Sequence, residues 1–289
     1  MRCPVCGGVF EWDGKALRCA LAHSFDIARQ GYVALRDGRS AQLRFDTADM
    51  VAARCRVHQT HIFDPVVGAV ATGIGPPDIG GRSLIVDLGA GPGHYLHAAL
   101  LQAPSGTRGL GVDLSKFCAR TLARTVPNAA AVVADIWRVL PIATGVADAV
   151  LSVFAPRNIA ETIRILRPGG RWTIVTPQPD HLAELIAPMD MLSVGADKAD
   201  AVAAAVTDAF EVTERHQVRY QRDCDARLIA DLVAMGPSAF HRHRTEIDAA
   251  AAALTTTRPH VPVTIAVTVT HCRLRAAGSS GVGQASAAR

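Results

Sequence analysis

Nowhere in this 289-residue chain do about 18 apolar residues follow one another, so no segment reads as a membrane-crossing helix. A glycine period, a sustained heptad run and an internal repeat are all missing, which excludes collagen-like, coiled-coil and solenoid architectures. The opening stretch, Met1-Arg2-Cys3-Pro4-Val5-Cys6, has neither the apolar run nor the cleavage site of a secretory signal. A cytoplasmic location is therefore expected, and there the seven cysteines read as metal ligands or buried thiols rather than disulfides. What the chain does have is a 49% apolar fraction, enough for a sizeable core and too much for wholesale disorder. Its formal charge of +4 permits a nucleic-acid partner without demonstrating one.

The organisation is uneven. Residues 1–36 form a polar, turn-rich module of short hairpins, too small to bury a core unaided. Residues 37–82 read as a helical linker, with helices expected over Thr47–Val57 and Pro65–Ala71. Gly73, Gly75, Pro76, Pro77, Gly80 and Gly81 then punctuate the chain. Residues 83–275 alternate strands with helices. Strands are expected at Leu84–Asp87, Gly109–Asp113, Ala130–Ala134, Ala147–Val153 and Arg171–Val175. Helices are expected at Gly93–Gln102, Lys116–Thr125, Ala160–Leu166 and His181–Leu192. Two later strands, Phe210–Val218 and Val261–Leu274, flank an alanine-rich helical stretch. This pattern predicts an α/β fold with a parallel sheet covered by helices on both faces. The small, polar residues 276–289 read as a disordered tail.

Cys3-x2-Cys6, then twelve residues, then Cys19-x3-His23 supplies four ligands in two close pairs. Each pair can chelate from one turn, and the intervening loop lets the second pair complete a tetrahedron. Four protein ligands leave no open position, so a structural zinc ion is expected. The module and its sequel, residues 1–45, carry more basic than acidic side chains, a weak pointer to phosphate contacts. Cys55, Cys118, Cys224 and Cys272 lack metal spacing and read as buried thiols. Arg242 and Arg244, with His241 and His243, form a basic knot that suits either RNA phosphate or a solvated helix face.

Leu84–Tyr95 is a strand running into a glycine-rich turn and then a helix. The spacing is G-x-G-x-G, with His94 where the third glycine of a dinucleotide fingerprint would fall, and Asp87 closes the strand. A pyrophosphate wants neutral amides at such a turn. A carboxylate there suits a ligand with an ammonium, as the methionine end of S-adenosylmethionine has. On this reading Asp87, Gly89, Gly91, Gly93, His94 and Tyr95 line the cofactor. Asp113, at the end of the next strand, holds the ribose hydroxyls or merely caps a helix. Asp135 receives the adenine amino group or is a plain surface or capping residue; Ile136 packs on the ring, and Trp137 either joins it there or belongs to the core.

These residues resemble the 23S ribosomal RNA guanine-N1 methyltransferase family. The resemblance rests on the cysteine module and the run His23-Ser24-Phe25-Asp26-Ile27-Ala28-Arg29-Gln30-Gly31-Tyr32-Val33-Ala34-Leu35. It continues through Asp46–Met50 with Ala53-Arg54, Asp87–Tyr95, Phe154–Asn158 and Leu166–Gly170. Two places depart from the family pattern: His61-Ile62-Phe63-Asp64-Pro65 replaces Gly-His-Tyr-x-Pro, and Phe45-Asp46 replaces Gly-Asp. The resemblance implies a class I, Rossmann-like methyltransferase with a seven-stranded sheet and an N-terminal zinc module that recognises RNA. It implies methylation of guanine N1 in a hairpin loop of 23S ribosomal RNA beside the peptide exit tunnel, in the branch similar to tylosin-resistance enzymes. It also implies a homodimer.

Guanine N1 carries a proton, and its lone pair attacks a methyl carbon only as that proton leaves. Phe154, Arg157 and Asn158, at the end of the fourth strand, would face the methyl group in such a fold. Phe154 suits either stacking on a base or a place in the core, Arg157 suits charge developing on O6, and Asn158 suits orienting the base edge. A helix N-terminal turn with a surface arginine accounts equally well for Arg157 and Asn158. A small-molecule methyltransferase with a structural zinc module, and a non-enzymatic RNA-binding protein, are the competing readings.

Overall fold

The computed structural model describes residues 1–36, 44–74, 83–192 and 206–275. The punctuation from Gly75 to Gly81 and the tail at 276–289 lie outside the described residues. No helix among those described is long and apolar enough to cross a membrane.

The N-terminal module folds as two hairpins sharing a strand. β1 (Phe10–Trp12), β2 (Ala16–Cys19) and β3 (Ser24–Asp26) form an antiparallel sheet in that order. Asp13 makes the first turn by accepting from the amides of Lys15 (2.9 Å) and Ala16 (2.7 Å). The next strand, β4 (Tyr32–Ala34), leaves this small sheet. It pairs in parallel with β7 (Ala129–Val133), Val33 opposite Val132.

The large sheet is completed by β5 (Leu84–Leu88), β6 (Arg108–Asp113), β8 (Ala147–Val153), β9 (Leu166–Pro177), β10 (Phe210–Cys224) and β11 (Val261–Leu274). Its order is β10-β11-β9-β8-β5-β6-β7-β4, with only β10 and β11 antiparallel to their neighbours. Seven strands come from the region expected to supply them, and β4 adds an eighth. β5 reads Leu-Ile-Val-Asp-Leu, apolar toward both faces, as a parallel strand covered by helices on both sides must. Successive side chains go to opposite cores. Ile85, Leu151 and Val175 belong to one apolar cluster, and Val86, Val150 and Ile174 to the other.

The expected linker is part of the first core. α1 (Ala48–Gln59), capped by Thr47, buries Ala53 and Val57, and α2 (Asp64–Thr72) buries Val66 and Val70. They join α3 (His94–Gln102), α4 (Lys116–Thr125), α7 (Ala226–Ala234) and α8 (Arg244–Leu254) around that cluster. α5 (Ile159–Ile165) precedes β9. The helix expected over His181–Leu192 is reduced to α6 (Ala183–Ile186). Leu182 takes a left-handed backbone at φ 57°, and Pro188 lacks the amide that would continue the spiral.

Strand order reverses at β5, whose neighbours are β6 on one side and β8 on the other. Connections diverge at such a switch point and leave a crevice at the carboxyl ends of the strands. The module is attached through β4 and the residue after it, through Phe10, Leu17, Phe25 and Ile27 packed on the second core, and through the Arg2 amide donating to Pro141 O (2.8 Å). Leu35, 2% exposed, packs in the second core, and its amide donates to Val133 O (2.8 Å). Leu35→Ala is expected to cost roughly 2–5 kcal/mol in urea denaturation and to expose the first 36 residues to protease before the rest.

Candidate active site and metal centre

The loop from β5 to α3 is pressed onto β6, since the amides of Gly89 (2.8 Å) and Ala90 (3.1 Å) both donate to Val112 O. Gly89 holds φ at 80°, and a Cβ there would fall 2.5 Å from Ala155 Cβ. Only glycine brings main chain this close to the end of β8. Gly91 donates its amide to Asp113 Oδ2 (2.8 Å), and Ser115 donates to Asp113 Oδ1 (2.8 Å). Gly93 caps α3, which opens with His94 and Tyr95.

Asp87 is 1% exposed, and neither carboxyl oxygen has a hydrogen-bond partner. Burial, reinforced by the Asp113 carboxylate, pushes it up to about 8. A buried acid without a donor is costly unless a ligand supplies one. Arg54 of α1 lies over the loop, Nη1 within 3.4 Å of where a Gly91 Cβ would stand, held by Asp46 and by Met235 O (2.7 Å). At the far side of the crevice, Asp135 Oδ1 accepts from the Trp137 amide (2.9 Å), and its Oδ2 lies 3.9 Å from Arg138. Ile136 is buried in the second core, whereas Trp137 is 61% exposed.

At the end of β8, Phe154 holds φ at 53° with its ring 41% exposed. Phenylalanine rarely adopts that backbone, and such strain collects at functional sites. Asn158 caps α5 by accepting from Glu161 N (3.2 Å) and donates to Ile136 O (3.0 Å). Both ends of its amide are thus engaged in tying the Asp135–Arg138 loop to α5. Arg157 is half-buried, and desolvation lowers its pKa.

Sequence reasoning missed the aromatic box in front of Phe154. His181 stacks on it (5.7 Å between centroids, 23°), and the rings of Phe63 (6.2 Å) and Tyr95 (6.5 Å) meet it from other sides. His58 and His94 stack face to face at 3.9 Å behind Tyr95. Burial holds all three histidines below their usual range: His58 about 3, His94 about 4 and His181 about 4. They are neutral near pH 7. His181 Nδ1 accepts from the Ala266 amide (3.2 Å), which leaves the ring proton on Nε2. The box draws on α1, α3, the α1–α2 turn, β8 and the chain after β9, so no local motif announces it.

The four ribbon ligands converge. Cys3 Sγ and His23 Nδ1 are 3.7 Å apart, Cys6 and Cys19 Sγ 3.6 Å, and Cys19 Sγ and His23 Nδ1 3.3 Å. Zinc–sulfur and zinc–nitrogen bonds of about 2.3 and 2.0 Å place tetrahedral ligands about 3.5–3.8 Å apart, so the donor set and its spacing fit one zinc ion. Among the other cysteines, Cys118, Cys224 and Cys272 are buried and Cys55 is half-buried. In the basic knot, Arg244 is paired with Asp231 and Asp248 (2.7 Å each), and Arg242 donates to Met189 O.

Residues 1–36 match the family described as RlmA, N-terminal, a zinc ribbon. Most of the chain is similar to the 23S rRNA (guanine(748)-N(1))-methyltransferase of Streptomyces fradiae, 40% identical over 253 residues that make up 86% of this chain and 88% of that one. The chain belongs to the 23S rRNA (guanine-N1)-methyltransferase family. Candidate members from Micromonospora griseorubida (39% over 267 residues, 86% of this chain and 90% of the relative) and Bacillus subtilis (30% over 249 residues, 83% and 86%) are also similar. Among solved structures, a candidate methyltransferase from Bacillus halodurans superposes with a TM-score of 0.50 at 12% identity, covering 72% of this chain and 98% of that one. A chain of the complex between the Haloferax volcanii Trm112 methyltransferase activator and a candidate methyltransferase gives 0.52 at 19%, covering 81% and 100%. At these identities the likeness shows the class I methyltransferase fold alone.

The methyl donor of this enzyme family is S-adenosylmethionine, and the crevice fits it: an unpartnered buried acid for an ammonium and a glycine cradle open to main-chain contact. Because its pKa is raised, Asp87 is neutral below about pH 8 in the ligand-free chain. Pairing with an ammonium needs the carboxylate, so binding releases a proton. Affinity for S-adenosylhomocysteine is expected to rise between about pH 6 and 7.5, by at most about tenfold per pH unit. Calorimetry in two buffers of different ionisation enthalpy reads the proton. Asp87→Asn should weaken binding and flatten the profile, whereas pH-independent binding by the wild type would exclude the pairing.

Proposed function

We propose that this methyltransferase modifies N1 of a guanine in a hairpin loop of 23S ribosomal RNA beside the peptide exit tunnel, and that the modification protects its host against tylosin-type macrolides. The observation that carries the base-modifying part is the aromatic box at the mouth of the cofactor crevice, a slot walled by Phe63, Tyr95, Phe154 and His181. Its aromatic chemistry suits a flipped base, stacked on the exposed Phe154 and read at its edge. The 40% identity to an enzyme of Streptomyces fradiae that acts on guanine 748 of 23S rRNA supports a guanine of that RNA as the target.

S-Adenosylmethionine supplies an electrophilic methyl carbon on sulfonium. Asp87 receives the ammonium of its amino-acid end, Arg54 faces the carboxylate, and Asp113 takes the ribose hydroxyls. Gly89, Gly91 and Gly93 let the loop approach, His94 and Tyr95 wall the methionine end, and Asp135 and Ile136 hold the adenine. As N1 of guanine loses its proton to solvent, negative charge spreads to O6. His181, fixed as a neutral Nε2–H donor by the Ala266 amide, is placed to stabilise that charge, and the half-buried Arg157 adds a cation near the end of β8. Asn158 acts as a positioning residue, because its amide couples the adenine loop to the end of β8.

The zinc ribbon grips the RNA. Trp12, Val5, Val9 and Leu21 stand exposed on it, with Arg2 and Lys15 close in sequence. Apolar side chains facing water in so small a module suit stacking on unpaired bases. Pairing of two copies, which the family resemblance implies, belongs to the same proposal, as does a cytoplasmic location.

Primer extension tests the reading, because N1-methylguanine blocks base pairing. Expression in a susceptible host should place one new stop at a hairpin-loop guanine of 23S rRNA and raise tolerance of tylosin. His181→Phe should lower kcat on the order of 10²-fold with KM for the cofactor unchanged, and His181→Gln, which keeps a donor, should restore part of it. Methyl transfer confined to small metabolites, with no stop in the RNA, would overturn the proposal.

A further inference from the structure

The β10–β11 ladder carries a second cluster of ligating side chains, far in sequence from the ribbon. Glu214 and His216 lie two residues apart on β10, and the irregularity between Val212 and Glu214 sets Glu214 directly opposite His271 on β11. One ligand atom from each of the three lies within 4.8 Å of the other two. Glu214 Oε1 and His216 Nδ1 are 3.1 Å apart, yet that nitrogen is buried and makes no hydrogen bond. The two atoms are close without being aimed at each other. Ligands about 2.1 Å from one ion stand about 3.0–3.4 Å apart and have this relation, since both point at the metal.

His271 supplies the second observation. It is 5% exposed, and its Nε2 is buried with no partner. Its Nδ1 lies 3.0 Å from Thr173 Oγ1, on the neighbouring strand directly across from it. With Nδ1–H donated to the threonine, Nε2 presents a bare lone pair, the arrangement that orients metal-binding imidazoles. The ring is locked from behind, because a Cβ at Gly73 would fall 2.1 Å from Nδ1. Glu214, His216 and Arg171 are the charged groups acting on His271. A single carboxylate beside an arginine does not suit calcium or magnesium, which take sets of oxygen ligands. Two imidazoles and one carboxylate suit zinc, cobalt or nickel.

We propose that Glu214, His216 and His271 form a second metal site, for a divalent ion of the zinc type, distinct from the ribbon site. Bound there, the ion cross-links the last two strands at the point where their ladder is irregular.

Untagged protein loaded with zinc and passed through gel filtration should carry two zinc ions per chain by elemental analysis. Glu214→Gln combined with His216→Ala should leave one, and so should Cys3→Ser combined with Cys6→Ser. The cysteine variant loaded with cobalt(II) should show ligand-field bands without sulfur charge transfer, a readout that does not depend on how the β10 variant folds. A wild-type chain holding one zinc, a second zinc stripped by the column, or a second zinc that persists after His216→Ala would each overturn the proposal.

Discussion

Asp87 sits in the middle of the large sheet with both carboxyl oxygens buried and without a donor. No chain gains stability from such a group. It sits at the switch point, where strand order alone guarantees a crevice. The glycine loop wraps that point, Asp113 braces the loop from β6, and Arg54 closes over it from α1. What the fold leaves open is the acid, held uncharged by burial and lacking a donor, whereas Arg54 is already engaged by Asp46 and Met235 O.

The acceptor side follows a different logic. There the walls are rings, and the histidines among them are kept neutral by the same desolvation that raises Asp87. A neutral imidazole can donate without carrying a charge into an apolar slot. The Ala266 amide settles which nitrogen of His181 does so. The departures from the family pattern fall partly here, since Phe63 stands within the replaced His61–Pro65 stretch and supplies one wall of the slot. An aromatic ring fills that position, so the change alters its polarity more than its shape.

What was legible in the sequence was local. The ribbon ligands lie on two tight turns, and the glycine loop lies between a buried strand and a helix, so each writes a short motif. The strands were legible because both faces of a parallel sheet are apolar. The aromatic box was not, because five separate segments contribute to it and no spacing connects His58 with His181. The helix expected over His181–Leu192 had the right periodicity but was cut short by a left-handed residue and a proline. β10 runs to Cys224, beyond the expected Val218, because its outward side is solvated and its alternation with charged residues hides the strand. The role of Asn158 was ambiguous for a physical reason. The same amide can cap a helix or meet a base, and only the position of Ile136 O and Glu161 N decides what it touches.

β4 leaves the ribbon and zips onto β7, and β7 runs directly into the Asp135–Trp137 turn at the far side of the crevice. In the proposed reading, the part that feels for the target and the part that reacts are joined through this main-chain ladder, like the jaws of a caliper. Selection among guanines would then be a matter of span: a nucleotide is modified when its distance from the gripped feature equals the gap, and a close neighbour of the same base is passed over.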